Sequence, residues 1–282
     1  MDYEGQICRP PMERSAFMLG VAVGCAYNRC RFCNLFKHLR HRLLPLEQLE
    51  HELRRVRDLG GNPKQVFLGD GNAFGMETSR LLTILEMVTR YFPACEMINM
   101  DATVSDIHCK SDEELRQLKH ARVGHLYLGI ESGLDDVLAF MQKDHNVDQA
   151  YMEISRLQDA GFWYNAHIMT GIAGTGRGRE NAEHLASFLN RTKPQRIINF
   201  SLYLSSDTPL YRDALAERFK PASEVENLRE ERRLLELLDV CVQQYDSFHD
   251  AIEVRVRGTL PRERHKMLQT LDDAIKNQNM MQ

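Results

Sequence analysis

Gly24-Cys25-Ala26-Tyr27-Asn28-Arg29-Cys30-Arg31-Phe32-Cys33 brings three thiols into nine positions of a 282-residue chain that has seven cysteines in all. The odd count and the crowding argue against a disulfide framework, and in a reducing compartment metal ligation is the first use of such a loop. Thiolates are ligands of iron–sulfur clusters and also of zinc. His38 and His41 lie near enough in sequence to complete a zinc site, so the residues alone leave both metals open. Immediately upstream, residues 17–23 (Phe-Met-Leu-Gly-Val-Ala-Val) are a short apolar run that reads as a buried strand. The thiols therefore sit at the C-terminal end of a strand.

Working outward, Leu46, Leu49, Leu53, Val56 and Leu59 share one face of a helix over 46–59, stopped by Gly60-Gly61. A strand at 65–69 follows, then a helix at 78–91, a strand at 96–100, a helix at 111–121 and a strand at 125–130. Helices within 134–160, a strand at 163–170, a helix at 179–191 and a strand at 196–203 continue the alternation. Runs such as Leu126-Tyr127-Leu128-Gly129-Ile130 are apolar on both faces, as a parallel sheet covered by helices requires. The expected fold is α/β, a partial (β/α)6 barrel over residues 1–205 with the cysteine loop at 24–34. Residues 206–282 read as a mainly helical C-terminal extension: a short helix after Thr208-Pro209, a long charged helix from Ser223 to about Gln244, a strand at 252–256 and a last helix from Pro261 to about Asn277. Cys241, in the row Leu234, Leu238, Cys241, is expected to be a small buried side chain of that long helix.

The formal net charge of −4, without a run of Lys or Arg at either end, does not announce broad binding to phosphate backbones. No stretch approaches the ~18 apolar residues that span a bilayer, so a cytoplasmic protein with no membrane partner is expected. Arg29, Arg31, Lys37, Arg40 and Arg42 beside the cysteine loop, and Arg255, Arg257, Arg262, Arg264 and Lys266 near the end, keep nucleic acid open as a partner. Such charges equally form solvated faces.

The cysteine loop resembles the cluster motif of the radical S-adenosylmethionine (SAM) superfamily, C-x3-C-x-Φ-C, with Phe32 in the aromatic place and a first gap of four residues instead of three. The resemblance implies that Cys25, Cys30 and Cys33 hold a [4Fe–4S] cluster whose fourth iron is left for SAM. Gly69-Asp70-Gly71-Asn72 is similar to the Gly-rich acidic motif that receives the SAM amino group, although the same residues make good turn chemistry. Gly129-Ile130-Glu131-Ser132-Gly133 is similar to the strand end that meets the ribose and methionine portions, and Ser132 would also suit a helix N-cap. His167-Ile168-Met169-Thr170-Gly171-Ile172-Ala173-Gly174 looks like the adenine motif, with Met169 and Gly171 facing the base and Gly174 where an acidic variant would stand. Each motif ends a predicted strand, the face where barrel enzymes place their chemistry. Their order resembles the branch containing the oxygen-independent coproporphyrinogen dehydrogenases and the methylthiotransferases.

What the resemblance implies is an enzyme that cleaves SAM reductively to a 5′-deoxyadenosyl radical and abstracts hydrogen from a substrate, with an electron donor such as flavodoxin or ferredoxin. A small-molecule substrate is favoured, because the extension is short and Cys8, Cys95, Cys109 and Cys241 are too scattered for a second cluster. Modification of RNA or protein, and a non-catalytic cluster-containing haem-binding chaperone, are the alternatives. Strand alternation nominates Asp101, Tyr127, His167, Asn199, Ser201 and Tyr203 as side chains facing a substrate, and no catalytic residue is assigned.

Overall fold

The computed structural model describes residues 4 and 7–281, with the backbone alone for Asp250 and Met281. Its elements begin with β1 (Phe17–Gly20), β2 (Ala22–Val23), β3 (Arg42–Leu43), α1 (Leu46–Asp58), β4 (Gln65–Gly69), α2 (Thr78–Tyr91), β5 (Met97–Ala102), α3 (Val104–His108), α4 (Asp112–His120) and β6 (Val123–Glu131). They continue with α5 (Asp135–Phe140), α6 (Val147–Asp159), β7 (Trp163–Thr170), α7 (Gly178–Thr192) and β8 (Arg196–Ser201). The last are α8 (Pro209–Leu215), α9 (Glu224–Leu237), β9 (Val242–His249), β10 (Val254–Leu260) and α10 (Arg264–Met281). Eight strands form a mostly parallel sheet in the order β1-β4-β5-β6-β7-β8-β9-β10, with β9–β10 the antiparallel pair, and β2 and β3 pair separately. The expected α/β alternation is therefore present. Among the described residues no helix is long and apolar enough to cross a membrane.

Two compact units divide the chain. The first comprises residues up to Asn28, Leu35–Leu128 and Glu153–Trp163. Leu49 and Leu53 of α1, Leu81, Ile84, Leu85 and Val88 of α2, and Leu115 and Leu118 of α4 are fully buried, as are Val66, Leu68, Ile98 and Met100 of the strands. Each such side chain contributes about 1.5–3 kcal/mol relative to exposure. Two capping boxes start α3 and α4, at Thr103 with Asp106 and at Ser111 with Glu114.

The second unit comprises Arg29–Asn34, Gly129–Met152 and the chain from Tyr164 onward. Its C-terminal part is mainly helical, but the long helix ends earlier than the sequence pattern predicts. Asn190 of α7 stops it: its Nδ2 donates to the Leu237 carbonyl at 2.9 Å and its Oδ1 accepts from the Asp239 amide at 2.7 Å. Leu238 then turns to extended backbone. The residues beyond form β9, where Tyr245, Ser247 and His249 alternate onto one buried face. Cys241 consequently lies outside the helix and is exposed, which corrects its expected burial.

Candidate functional site

In the first unit, β1 and β2 deliver the chain to Gly24 and Cys25, and β4 delivers it to Gly69-Asp70-Gly71-Asn72. These two strand ends interlock. A Cβ at Gly71 would lie 2.4 Å from the Gly24 carbonyl oxygen, and φ there is +86°, so only glycine lets the backbones approach. The Asn72 carboxamide accepts from the Ala26 amide at 3.2 Å and from the Cys25 thiol at 3.5 Å. Its Nδ2 donates to Asp106 at 2.7 Å, and Asp106 is itself fixed by the amide of Thr103. Asn72 thus positions the first cysteine, a role the sequence reading did not give it.

Asp70 adopts a left-handed backbone, φ +65°, directly after the strand. Non-glycine residues hold that conformation at a cost of about 1–3 kcal/mol and cluster at functional sites. Its side chain is buried, with Oδ1 accepting no hydrogen bond. Burial without compensation pushes its carboxyl up to about 6. A buried acceptor left without a donor suits an incoming cation such as an ammonium group. His41, considered above for zinc, turns Nδ1 toward the Gly24 carbonyl at 3.3 Å.

The rest of the cysteine loop belongs to the second unit. Arg31 anchors it: its amide donates to the Met141 carbonyl and its carbonyl accepts from the Leu210 amide, both at 3.0 Å. The guanidinium pairs with buried Asp213 at 2.5 Å and lies 5.0 Å over the Phe140 ring. Phe32 packs on a cluster of Leu134, Val137, Met141, Ile172, Leu210 and Phe219. Arg31 is therefore structural and not part of an open basic patch. Of the other basic residues named above, Lys37 bonds the Asn28 carbonyl, Arg42 pairs with Glu4, and Arg255 and Arg257 pair with Asp246.

Glu131 ends β6 in the same left-handed conformation as Asp70, φ +63°. Lys143, from the turn between α5 and α6, reaches it at 3.3 Å, and both side chains are about nine-tenths buried or more. Gly129 makes the room, because a Cβ there would fall 2.5 Å from Glu131 Oε1 and 2.9 Å from Lys143 Nζ. Burial alone would lower the Lys143 ammonium, but Cys30, Glu131 and Asp144 outweigh it and hold it above its ordinary value. His167 is pushed down to about 4 by burial and by Lys143, so its ring is neutral at pH 7. Lys143 joins the candidate site through this contact with Glu131, and the sequence could not reveal it, since it stands in a loop without periodicity and its burial marks it.

Ser132 and Gly171 are tied together from behind. Ser132 Oγ accepts from the Leu134 amide at 3.1 Å and donates to Asn181 Oδ1 at 2.6 Å. Asn181 Nδ2 donates to Glu230 Oε1 at 2.6 Å, and Glu230 Oε2 accepts from the Gly171 amide at 2.9 Å. Glu230, on α9, is driven up to about 7 by burial. Met169 lies on the face of β7 shared with His167 and is partly buried. Of the substrate-facing candidates, Tyr127 is buried and donates to Glu13, and Asp101 is pushed up to about 8 by burial and by Glu13. Asn199 instead accepts from the Thr170 amide and donates to Tyr245, on the face of β8 opposite Phe200, while Tyr203 is exposed.

Comparison with known proteins bears on the family and the fold. The chain is 23% identical over 181 residues to the "Heme chaperone HemW" of Bacillus subtilis (strain 168), covering 62% of this chain and 46% of that protein. It thus spans less than half the length of this curated relative. The coproporphyrinogen III oxidase HemN from Escherichia coli, described as a radical SAM enzyme, superposes with a TM-score of 0.59 at 14% identity, over 78% of this chain and 50% of that one. The radical SAM methyltransferase TsrM from Kitasatospora setae, with cobalamin and a [4Fe–4S] cluster bound, gives 0.58 at 13% identity, over 72% and 39%. At these identities the structures share the fold. The model of the radical SAM superfamily matches residues 20–189, which take in the cysteine loop and the ends of β4, β6 and β7. With more than half of its length matched, the chain belongs to the radical SAM superfamily.

Proposed function

We propose that Cys25, Cys30 and Cys33 ligate a [4Fe–4S] cluster and that the strand ends of β4, β6 and β7 bind SAM beside it. The observation that carries this reading is the pair of strained carboxylate residues, Asp70 and Glu131, each at the C-terminal end of a parallel strand and the first with an unmatched buried oxygen. When bound, the cluster and SAM supply one-electron cleavage of the sulfonium C–S bond and a 5′-deoxyadenosyl radical for hydrogen abstraction from substrate. Asp70, between Gly69 and Gly71, receives the SAM ammonium. Glu131 accepts from the ribose hydroxyls and Lys143 balances its charge. Phe32 closes the loop against the apolar cluster, Met169 and the Gly171 backbone face the base, and Ser132 fixes the turn that presents Glu131. Residues 1–205 form the catalytic barrel and 206–282 its extension, acting on a small molecule with electrons from a flavodoxin or ferredoxin.

Anaerobic reconstitution followed by dithionite and SAM tests the reading, with 5′-deoxyadenosine as the expected product. Cys30→Ala should lose the broad visible absorbance of the cluster, whereas exposed Cys109→Ala and Cys241→Ala should keep it. Full iron retention in Cys30→Ala would sink the ligand assignment. The similarity to HemW favours a second reading, a cluster-bearing haem-binding protein without catalysis. Tight haem binding with no 5′-deoxyadenosine would select it.

A further inference from the structure

We infer that Lys143 sets the reduction potential of the cluster proposed at Cys30, as a buried, fixed positive charge beside that thiolate. This role rests on the reading of Cys30 as a cluster ligand, and it goes beyond balancing the charge of Glu131. Cys30, Glu131 and Lys143 all lie in the second unit.

The fold brings the two together from both sides. Arg31 donates its amide to the Met141 carbonyl at 3.0 Å, and Phe32 packs against the buried cluster that includes Met141. The two residues that follow Cys30 are thus fastened to a position two before Lys143. Gln142 then takes a left-handed backbone, φ +54°, and the Lys143 amide closes back onto the Leu138 carbonyl at 2.9 Å. This reversal turns the lysine inward, where only 6% of its side chain stays accessible and Nζ lies 3.3 Å from Glu131. The strand end of β6 holds it there, since a Cβ at Gly129 would fall 2.9 Å from Nζ.

An ammonium is costly to bury unless negative groups face it. Burial pulls the pKa of Lys143 down, but the Cys30 thiolate first, then Glu131 and Asp144, hold it above its ordinary value. Asp144 also pairs with the buried His145 at 3.1 Å, so it does not serve the lysine alone. His167, pushed down to about 4, is neutral at pH 7 and adds no positive charge there. When one electron from a low-potential donor enters a thiolate-held cluster, negative charge grows by one and no bond is made or broken. A fixed cation beside a ligand thiolate stabilises the more negative state and so raises the potential. With Lys143 nearly shut off from water, salt should screen this effect little.

The test is an anaerobic redox titration of the reconstituted, SAM-free protein, poised with dithionite and read by electron paramagnetic resonance of the reduced cluster. Lys143→Gln in a Glu131→Gln background is the informative variant, because it removes the ammonium without stranding a buried carboxylate. Against Glu131→Gln alone, it should lower the ratio of reduced to oxidised cluster at a fixed potential about ten-fold, equal to about 59 mV for a one-electron couple. Lys143→Arg, which keeps the charge, should stay near the wild-type potential. Lys143→Met in the Glu131→Gln background repeats the measurement should the double Gln variant fail to fold. Equal potentials in Glu131→Gln and the double variants, or a difference that high salt abolishes, would overturn the proposal. Loss of the cluster in every Lys143 variant would make the residue structural and overturn it as well. Iron content and visible absorbance are read in each sample: an unshifted potential with the cluster present rejects the role of Lys143 alone, whereas wild-type protein without a cluster rejects the ligand reading and this role with it.

Discussion

In the proposed SAM site Asp70 and Glu131 carry the central roles, and their different surroundings predict different behaviour. Loss of a hydrogen bond to a charged group costs about 1.5–3 kcal/mol, or roughly ten- to a hundred-fold in SAM affinity. Asp70→Asn and Glu131→Gln are therefore expected to weaken SAM binding by that factor in calorimetry while the cluster absorbance stays intact. Normal SAM binding in both would mean that the carboxylates only shape strand ends. The amide at 131 is the informative choice, because truncation to Ala would strand the Lys143 charge in the interior at about 3–5 kcal/mol. A pH dependence separates the two residues further. The Asp70 carboxyl is raised to about 6, so its charged form, the one that attracts an ammonium, is depleted as pH falls through that value. SAM affinity should decline below about pH 6 in the wild-type protein and vary little there in Asp70→Asn.

At the scale of elements, α9 acts as the back wall of two strand ends. Glu230 holds the Gly171 amide with one oxygen and Asn181, and through it Ser132, with the other. In Glu230→Gln a side-chain NH2 faces one of these donors, which leaves a buried donor unmatched at about 1–3 kcal/mol. The expected outcome is a melting temperature lower by several degrees together with weaker SAM binding, although Glu230 is not among the groups assigned to touch SAM. A drop in melting temperature with unchanged SAM affinity would confine Glu230 to stability. Two other carboxylates of the same helix, Glu224 and Glu231, clamp His249 of β9 at 2.5 Å on each ring nitrogen. Burial alone would lower its pKa, but the two carboxylates raise it to about 9. Because the folded-state value lies above the unfolded one, the imidazolium stabilises the fold fully below about pH 6.5, and this contribution fades as pH rises through 9. Denaturant titrations should show the stability gap between wild type and His249→Gln shrinking by on the order of 2–3 kcal/mol from pH 6 to pH 10. A constant gap would show that the clamp holds no charge.

Across the whole molecule, the sequence by itself determined the alternation of strands and helices up to β8, the cysteine loop at a strand end, and the order of Asp70, Glu131 and Met169 at the ends of β4, β6 and β7. All of this is local: apolar runs, glycine turns and cysteine spacing are written within a dozen residues of one another. The end of α9 was not legible, because its stop signal is Asn190, nearly fifty residues earlier in the chain. Lys143 was hidden for the same reason, as tertiary packing alone brings this loop lysine against Glu131. Most telling is β8. Arg196-Ile-Ile-Asn-Phe-Ser is apolar at adjacent positions, so alternation alone does not say which set shares a face with Met169, and Asn199 and Ser201 were the natural choice. The pairing of Met169 with Phe200 decided otherwise. Side chains alternate with a period of two along any one strand, but the phase between neighbouring strands is set by hydrogen-bond register, which only the assembled sheet fixes.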